Sequence, residues 1–290
     1  MSTYRIFDHK HYESLNSSRG AVVSSLLAEL QAPLGLKTAI DIGCGLGYFS
    51  ELLRALGFDV TAVDGRTENT KEAARRYPGI KFHTYNAEDP SLTALGKFDL
   101  VFCFGLLYHL ENPFRVIRNL YAMTNRLLLV EGVIYPGDSA LMGLVDETPF
   151  DDQGLNHVAF YPTEACMAKM FYRSGFCNVY RLSPMADHSD YRSATGLPRV
   201  RTMLAAAPAH LSSQLLTVIP EPISSFQPWD ATSVAAHVRV SRIWRGFWLW
   251  RARISAIRQK FLEITFPIRD RLGVRRATPI KRTSKNDTSE

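Results

Sequence analysis

Between about residue 20 and residue 206 the chain alternates short apolar runs, rich in β-branched and aromatic residues, with longer segments whose apolar positions recur at helical spacing. That alternation is the pattern of parallel strands joined by crossover helices. It predicts strands over residues 38–42, 58–63, 80–85, 98–104, 126–131, 178–182 and 199–205, and helices over 19–31, 48–56, 68–77, 114–123 and 163–174. Gly57, Gly79 and Gly175 each follow a helical segment, where a left-handed terminal residue favours glycine. Residues 135–160 show no sustained period and carry Pro136, Gly137, Pro149 and Gly154, which predicts a long loop of the kind that commonly forms a lid or binding loop. The expected fold is therefore α/β, a doubly wound, mostly parallel seven-stranded sheet with a C-terminal helical extension.

After residue 207 the pattern changes. A stretch with Pro208, Pro220, Pro222 and Pro228 leads to a predicted helix over 235–265, where Val240, Ile243, Phe247, Trp250, Ile254, Ile257, Phe261 and Ile264 recur in alternating steps of three and four. The expected domains are an N-terminal helical cap (1–35), a central domain (36–206), an extension holding this helix (207–277) and a disordered tail (278–290).

Charge follows the same division. The whole chain carries 34 Lys+Arg and 28 Asp+Glu, net +6, but residues 236–290 hold 14 basic and 4 acidic residues, net +10, leaving 20 against 24, net −4, in 1–235. Three partners suit residues 236–265: the rest of the chain or a second copy of it in a homodimer, an anionic membrane surface, or a nucleic acid. With 46% apolar residues the chain can build a packed core, which excludes disorder as its main state. Its longest apolar run, about residues 100–108, is half of what a membrane span needs. The first twenty residues hold Arg5, Asp8 and Glu13 where a secretory signal would be apolar, and Cys44, Cys103, Cys166 and Cys177 lack disulfide-framework or metal-ligand spacing. A cytoplasmic location, with peripheral contact at the inner membrane surface as the alternative, is the expectation.

The strongest chemical signal is AIDIGCGLGYFS, residues 39–50. It closes a strand at Asp41, turns through Gly43, Gly45 and Gly47, and opens a helix at Tyr48, so that backbone N–H groups and a helix N-terminus can approach a ligand. Its G-x-G-x-G spacing differs from the G-x-G-x-x-G of nicotinamide-binding folds. The following strand ends in Asp64, where a carboxylate can accept hydrogen bonds from both hydroxyls of a ribose.

These residues resemble the first motif of the class I S-adenosylmethionine-dependent methyltransferases, whose fold is Rossmann-like. The resemblance covers about residues 10–206. It implies S-adenosylmethionine as cofactor, held by Asp41 at the amino group, by Gly43 and Gly45 along the methionine part and by Asp64 at the ribose, with Cys44, Gly47 and Phe104 in the same binding set. At the adenine position of this family stands Asn86 in TYNAEDP, flanked by Ala87 and Glu88. FDLVFCFGLLYHLENP, residues 98–113, looks like the fourth motif, where methyl group and acceptor meet. His109 there suits a base that takes the proton of an acceptor hydroxyl, and Tyr108 either packs on the substrate or shares the chemistry.

GLLYHLENP, LLLVEGVIYPGD and NHVAFYPTEACMAKMFYRSGF are more similar to a bacterial subgroup that includes tRNA wobble-uridine carboxymethyltransferases, which use a carboxylated form of the cofactor. Glu131, Asp146, Asp151, Asp152, Asn156 and His157 are further candidates for an acceptor pocket. The expected function is O-methylation of a small-molecule, lipid-linked or glycan acceptor without a metal; the alternatives are tRNA modification and cofactor binding without turnover.

Overall fold

In the computed structural model described below, residues 6–147, 154–191 and 201–223 are defined. The helix predicted over 235–265, its proposed partners and the tail beyond 278 lie outside the described residues.

Each strand of the main sheet sends alternate side chains to opposite faces, and each face is apolar. Leu100, Phe102, Phe104, Leu127 and Leu129 enter one core, whereas Val101, Cys103, Leu128 and Val130 enter the other. Both faces need cover, and helices supply it. The first core receives α1 (Lys10–Leu34) through Leu15, Val23, Leu26, Leu27 and Leu30, and α2 (Tyr48–Ala55) through Phe49 and Leu53. The second receives α4 (Pro113–Met123) through Val116, Ile117 and Leu120, and α5 (Glu164–Ser174) through Met167, Met170 and Phe171. Helix α3 (Thr67–Arg76) packs at the sheet edge, against residues 59–64 and 81–84. Local signals end the helices as expected: Thr163 Oγ1 caps α5 by accepting from Cys166 N at 3.0 Å, and Gly175 closes it at φ 117°.

The parallel strands are β1 (Thr38–Ile42), β2 (Asp59–Asp64), β3 (Lys81–Thr84), β4 (Phe98–Phe104) and β5 (Thr124–Val133). Counting the hairpin strands β6 (Met142–Asp146) and β7 (Val158–Pro162), the sheet is completed by β8 (Asn178–Leu182), β9 (Arg201–Ala207) and β10 (Leu216–Val218). Its order is β10-β8-β9-β5-β4-β1-β2-β3. Because β9 is antiparallel to both β5 and β8, and β10 antiparallel to β8, two strands run against the other six.

Two expectations are corrected. The sheet has eight strands rather than seven; the eighth, β10, is a three-residue edge strand too short to show a period, and it lies past residue 206. Residues 135–160 are not wholly loop: β6 and β7 pair antiparallel from Met142↔Pro162 to Asp146↔Val158. A two-stranded ribbon buries only one side, which leaves Met142 and Leu144 exposed, and five residues between glycine and proline hide that alternation. Among the described residues no helix is long and apolar enough to cross a membrane.

Candidate active site

The chain crosses from one side of β1 to the other between β3 and β4, so the carboxyl ends of β1 and β4 diverge and leave a crevice, the usual ligand position in open α/β sheets. A cavity of about 360 Å³ occupies that place. Gly43, Cys44, Gly45, Asp64, Ala87, Phe104, Tyr108 and His109 all line it, which brings the glycine turn, the ends of the next two strands and residues 104–109 to one site.

The glycine turn is built by close approach. Gly43 (φ 80°) and Gly45 (φ 53°) have left-handed backbones, and a Cβ on Gly43 would stand 2.9 Å from Leu106 Cβ. The sequence suggested that the turn's N–H groups face a ligand, but Gly43 N and Cys44 N donate to Val63 O at 2.8 and 2.9 Å, Gly45 N donates to Asp64 Oδ2 at 2.9 Å, and Gly47 N donates to Cys44 O at 2.9 Å. Asp64 Oδ1 accepts from Arg66 N at 2.9 Å and Asn69 Nδ2 at 3.1 Å. With two bonds on Oδ1 and one on Oδ2, one acceptor position remains, on Oδ2. Burial raises the Asp64 pKa despite these bonds.

Asp41, Gly47, Asn86 and Glu88 do not line the cavity. Strand alternation places Asp41 with Ala39 on the α1/α2 face, where its carboxylate accepts from Ser50 Oγ at 2.7 Å. Burial, with a smaller contribution from nearby Asp64, pushes its pKa up to about 7 against the pull of the Ser50 bond. At Gly47 the turn packs against Tyr77, 2.9 Å from where a Cβ would be. Asn86 Oδ1 accepts from Glu88 N, and the Glu88 carboxylate accepts from Asn112 N and Nδ2, so both serve the local chain path. Tyr85 and Ala87 are the residues of that segment that reach the cavity.

His109 follows β4 on a single 3₁₀ turn, Leu107–His109. Its ring lies 4.1 Å, centroid to centroid, from that of Tyr108, and its Nδ1 is 2.5 Å from Glu147 Oε1. Glu147, just past β6, was not expected from the sequence. Asp146, which was, is exposed, while Asn156 donates to Glu111 Oε2 at 2.9 Å.

Behind Tyr108 lies a buried ionic network. Glu131, fully buried on β5, pairs with Arg19 Nη2 at 2.9 Å and Arg201 Nη1 at 3.0 Å and accepts from Tyr191 OH at 2.6 Å. Arg201 also donates to Tyr108 OH at 3.4 Å, and its guanidinium sits 5.3 Å from the centre of that ring. Burial acts to raise the Glu131 pKa, but the two guanidiniums overcome it and hold the carboxyl below its usual value. Burial likewise opposes the charge of Arg19, but Glu131 together with Tyr191 and Tyr108 more than restores it. The Tyr108 hydroxyl is thus committed to Arg201. Arg19, Asn16 and Tyr12 of α1 line the cavity, a contribution the sequence reading missed. The signal was present: Arg19 stands four residues after Leu15 and four before Val23, inside an apolar stripe.

Among the described residues His11, His188 and Asp190 bring potential ligand atoms within 4.8 Å of one another. Arg201 Nε donates to the same Asp190 carboxylate at 3.3 Å, so a guanidinium already balances its charge.

Fold and cleft define an α/β protein with a ligand site at its topological switch point. Residues 15–181, more than half of the chain, match the family model described as a methyltransferase domain, and the chain belongs to that family. It is 30% identical over 160 residues to a tRNA U34 carboxymethyltransferase of Edwardsiella ictaluri, covering 51% of this chain and 47% of the relative. It is 31% identical over 108 residues to a ubiquinone biosynthesis O-methyltransferase of Psychrobacter cryohalolentis, covering 35% and 42%. The chain thus spans about half the length of the curated relatives it matches. The fold is similar to the N-terminal domain of EvdMO1, crystallised in the presence of SAH and D-fucose, with a TM-score of 0.54, 17% identity and coverage of 69% of this chain and 84% of that one.

Proposed function

We propose that this chain is an S-adenosylmethionine-dependent methyltransferase that methylates a hydroxyl of a small-molecule, lipid-linked or glycan acceptor. The observation that carries the reading is the meeting of Asp64, at the end of β2, and His109, after β4, in one cavity beside the glycine turn. The residues present fit the cofactor. Gly43 and Gly45 line the cavity without a side chain to intrude on it, and Asp64 Oδ2 offers an acceptor lone pair for a ribose hydroxyl. When bound, S-adenosylmethionine supplies a methyl group already activated by its positive sulfur. The remaining work is alignment and proton removal: Asp64 fixes the nucleoside end, the Tyr108 ring packs beside the acceptor position, and His109 takes the acceptor proton.

Titration calorimetry with S-adenosylhomocysteine tests the cofactor site. Binding is expected in the wild type, and Asp64→Asn should weaken it at least about tenfold, the worth of one hydrogen bond to a charged group. No binding to the folded wild type would overturn the assignment. The acceptor is sought by mass spectrometry, as a methylated metabolite that disappears when the protein is removed from its cell.

A second reading, tRNA modification, is favoured by the U34 carboxymethyltransferase relatives and by the net +10 of residues 236–290. It predicts tRNA binding whose affinity falls steeply with salt. Salt-insensitive or absent binding at low ionic strength removes it.

A further inference from the structure

We infer that Glu147 is a positioning residue that holds His109 with its Nε2 bare, and so makes this a site for an acceptor that must lose a proton, a hydroxyl. The inference rests on the methyl-transfer reading above. It stands on a juxtaposition: the end of the β6–β7 hairpin strand β6 is delivered to the imidazole that follows β4, 38 positions away in sequence, with Nδ1 and Oε1 2.5 Å apart. The Glu147 side chain is 2% exposed and that of His109 13%.

The orientation of the pair is fixed at both ends. Glu147 Oε2 accepts from Gly154 N at 2.7 Å, so neither carboxylate oxygen is left to rotate. An ionised carboxylate can only accept, hence the Nδ1–H of the neutral imidazole donates to it, and Nε2 carries the free lone pair. The Tyr108 ring lies against it, tilted by 46°. Gly154 is itself pressed against His109: a Cβ there would fall 2.1 Å from the His109 carbonyl oxygen. Its own carbonyl accepts from Arg66 Nη2 at 3.4 Å, and Leu155 packs over Gly65, next to Asp64. Residues 154–155 line the cavity between the ribose-type carboxylate and the imidazole. The same short segment therefore registers both ends of the reaction against each other.

The step balances. The acceptor oxygen forms a bond to the methyl carbon as the methyl–sulfur bond breaks, the sulfur leaving as a neutral thioether with that electron pair. The acceptor proton passes to His109 Nε2. The resulting imidazolium is stabilised by the Glu147 carboxylate and later releases its proton to water. An acceptor that already presents a free lone pair needs no base oriented in this way.

Nitrogen NMR of the histidine-labelled full chain reads the tautomer directly. His109 is expected with Nδ1 protonated and Nε2 bare in the wild type; a protonated Nε2 would overturn the inference, and needs no variant. Carbethoxylation by diethylpyrocarbonate then reports on Nε2 as a nucleophile. Glu147→Gln, whose amide can donate to Nδ1, should slow modification of His109 about tenfold, the worth of one charge-assisted hydrogen bond. Equal rates in wild type and a Glu147→Gln variant that still binds S-adenosylhomocysteine mean that the pair only staples the hairpin. Failure of the wild type to bind S-adenosylhomocysteine would instead count against the methyl-transfer reading, leaving the tautomer legible.

Discussion

Asp41 is the acidic motif residue that is buried away from the cavity lining. It is 2% exposed, and its pKa of about 7 means that the folded chain keeps the proton through a range in which the unfolded chain has lost it. Where the native state binds more protons, stability falls as pH rises. The contribution of Asp41 is therefore neutral near pH 4, grows unfavourable through pH 7 and is constant above. Asp41→Asn, which can still accept from Ser50, should match the wild type near pH 4 and be more stable at pH 8, by about 4 kcal/mol at most. Thermal melts of both proteins across that range check this; parallel curves would contradict it. At this scale local chemistry was legible in the sequence wherever it is local in the chain. The turn at Gly43–Gly45 and the carboxylate of Asp64 follow from spacing alone. Glu147 does not, because nothing in an aperiodic segment marks which of several acidic residues will meet a histidine 38 positions earlier.

Among the elements, strands 38–42, 98–104 and 178–182 were readable to the residue, the first two as mostly apolar runs and the third as a β-rich segment that starts just after the glycine closing α5. Helix α1 was found but drawn too short, since its first two turns carry His11, Glu13, Asn16 and Ser17, which mask the apolar face beginning at Leu15. The β6–β7 hairpin was missed for the reason its exposed Met142 and Leu144 make plain: it is held less by its own pattern than by tethers such as Glu147 and Gly154. Gly154→Ala should release that tether. With no room for its Cβ, residues 154–156 must shift away from His109, and hydrogen exchange in β6 and β7 should rise while β4 and β5 stay protected. Unchanged exchange across 142–162 would show that the hairpin does not depend on this contact.

Over the whole unit, sequence pattern marked most of the strands but not their order, because which strand lies beside which is decided by packing far apart in the chain. The entry of β9 between β5 and β8 is such a case, and it has an energetic consequence. It brings Arg201 to Glu131 on β5, opposite Arg19 of α1, so one carboxylate joins three elements. Removing one partner of a buried ionic group leaves the others uncompensated, at a cost of about 3–5 kcal/mol. Glu131→Ala strands two buried guanidiniums and should lose stability of that order, read as a lower urea midpoint. A change within about 0.5 kcal/mol, as at ordinary surface sites, would mean that water already serves those charges.

The glycine turn also sets what this cleft refuses. In phosphate-binding loops the unpaired N–H groups of successive residues cradle the anion. Here the donors of Gly43, Cys44, Gly45 and Gly47 are all spent on Val63, Asp64 and Cys44, with the Asp64 carboxyl group beside the turn. A nucleoside whose 5′ substituent is neutral or cationic asks nothing of that turn, whereas a di- or triphosphate finds these four donors already taken and an acceptor carboxyl group beside them. Adenosine should therefore displace S-adenosylhomocysteine from the protein in competition calorimetry, and ATP at the same concentration should not.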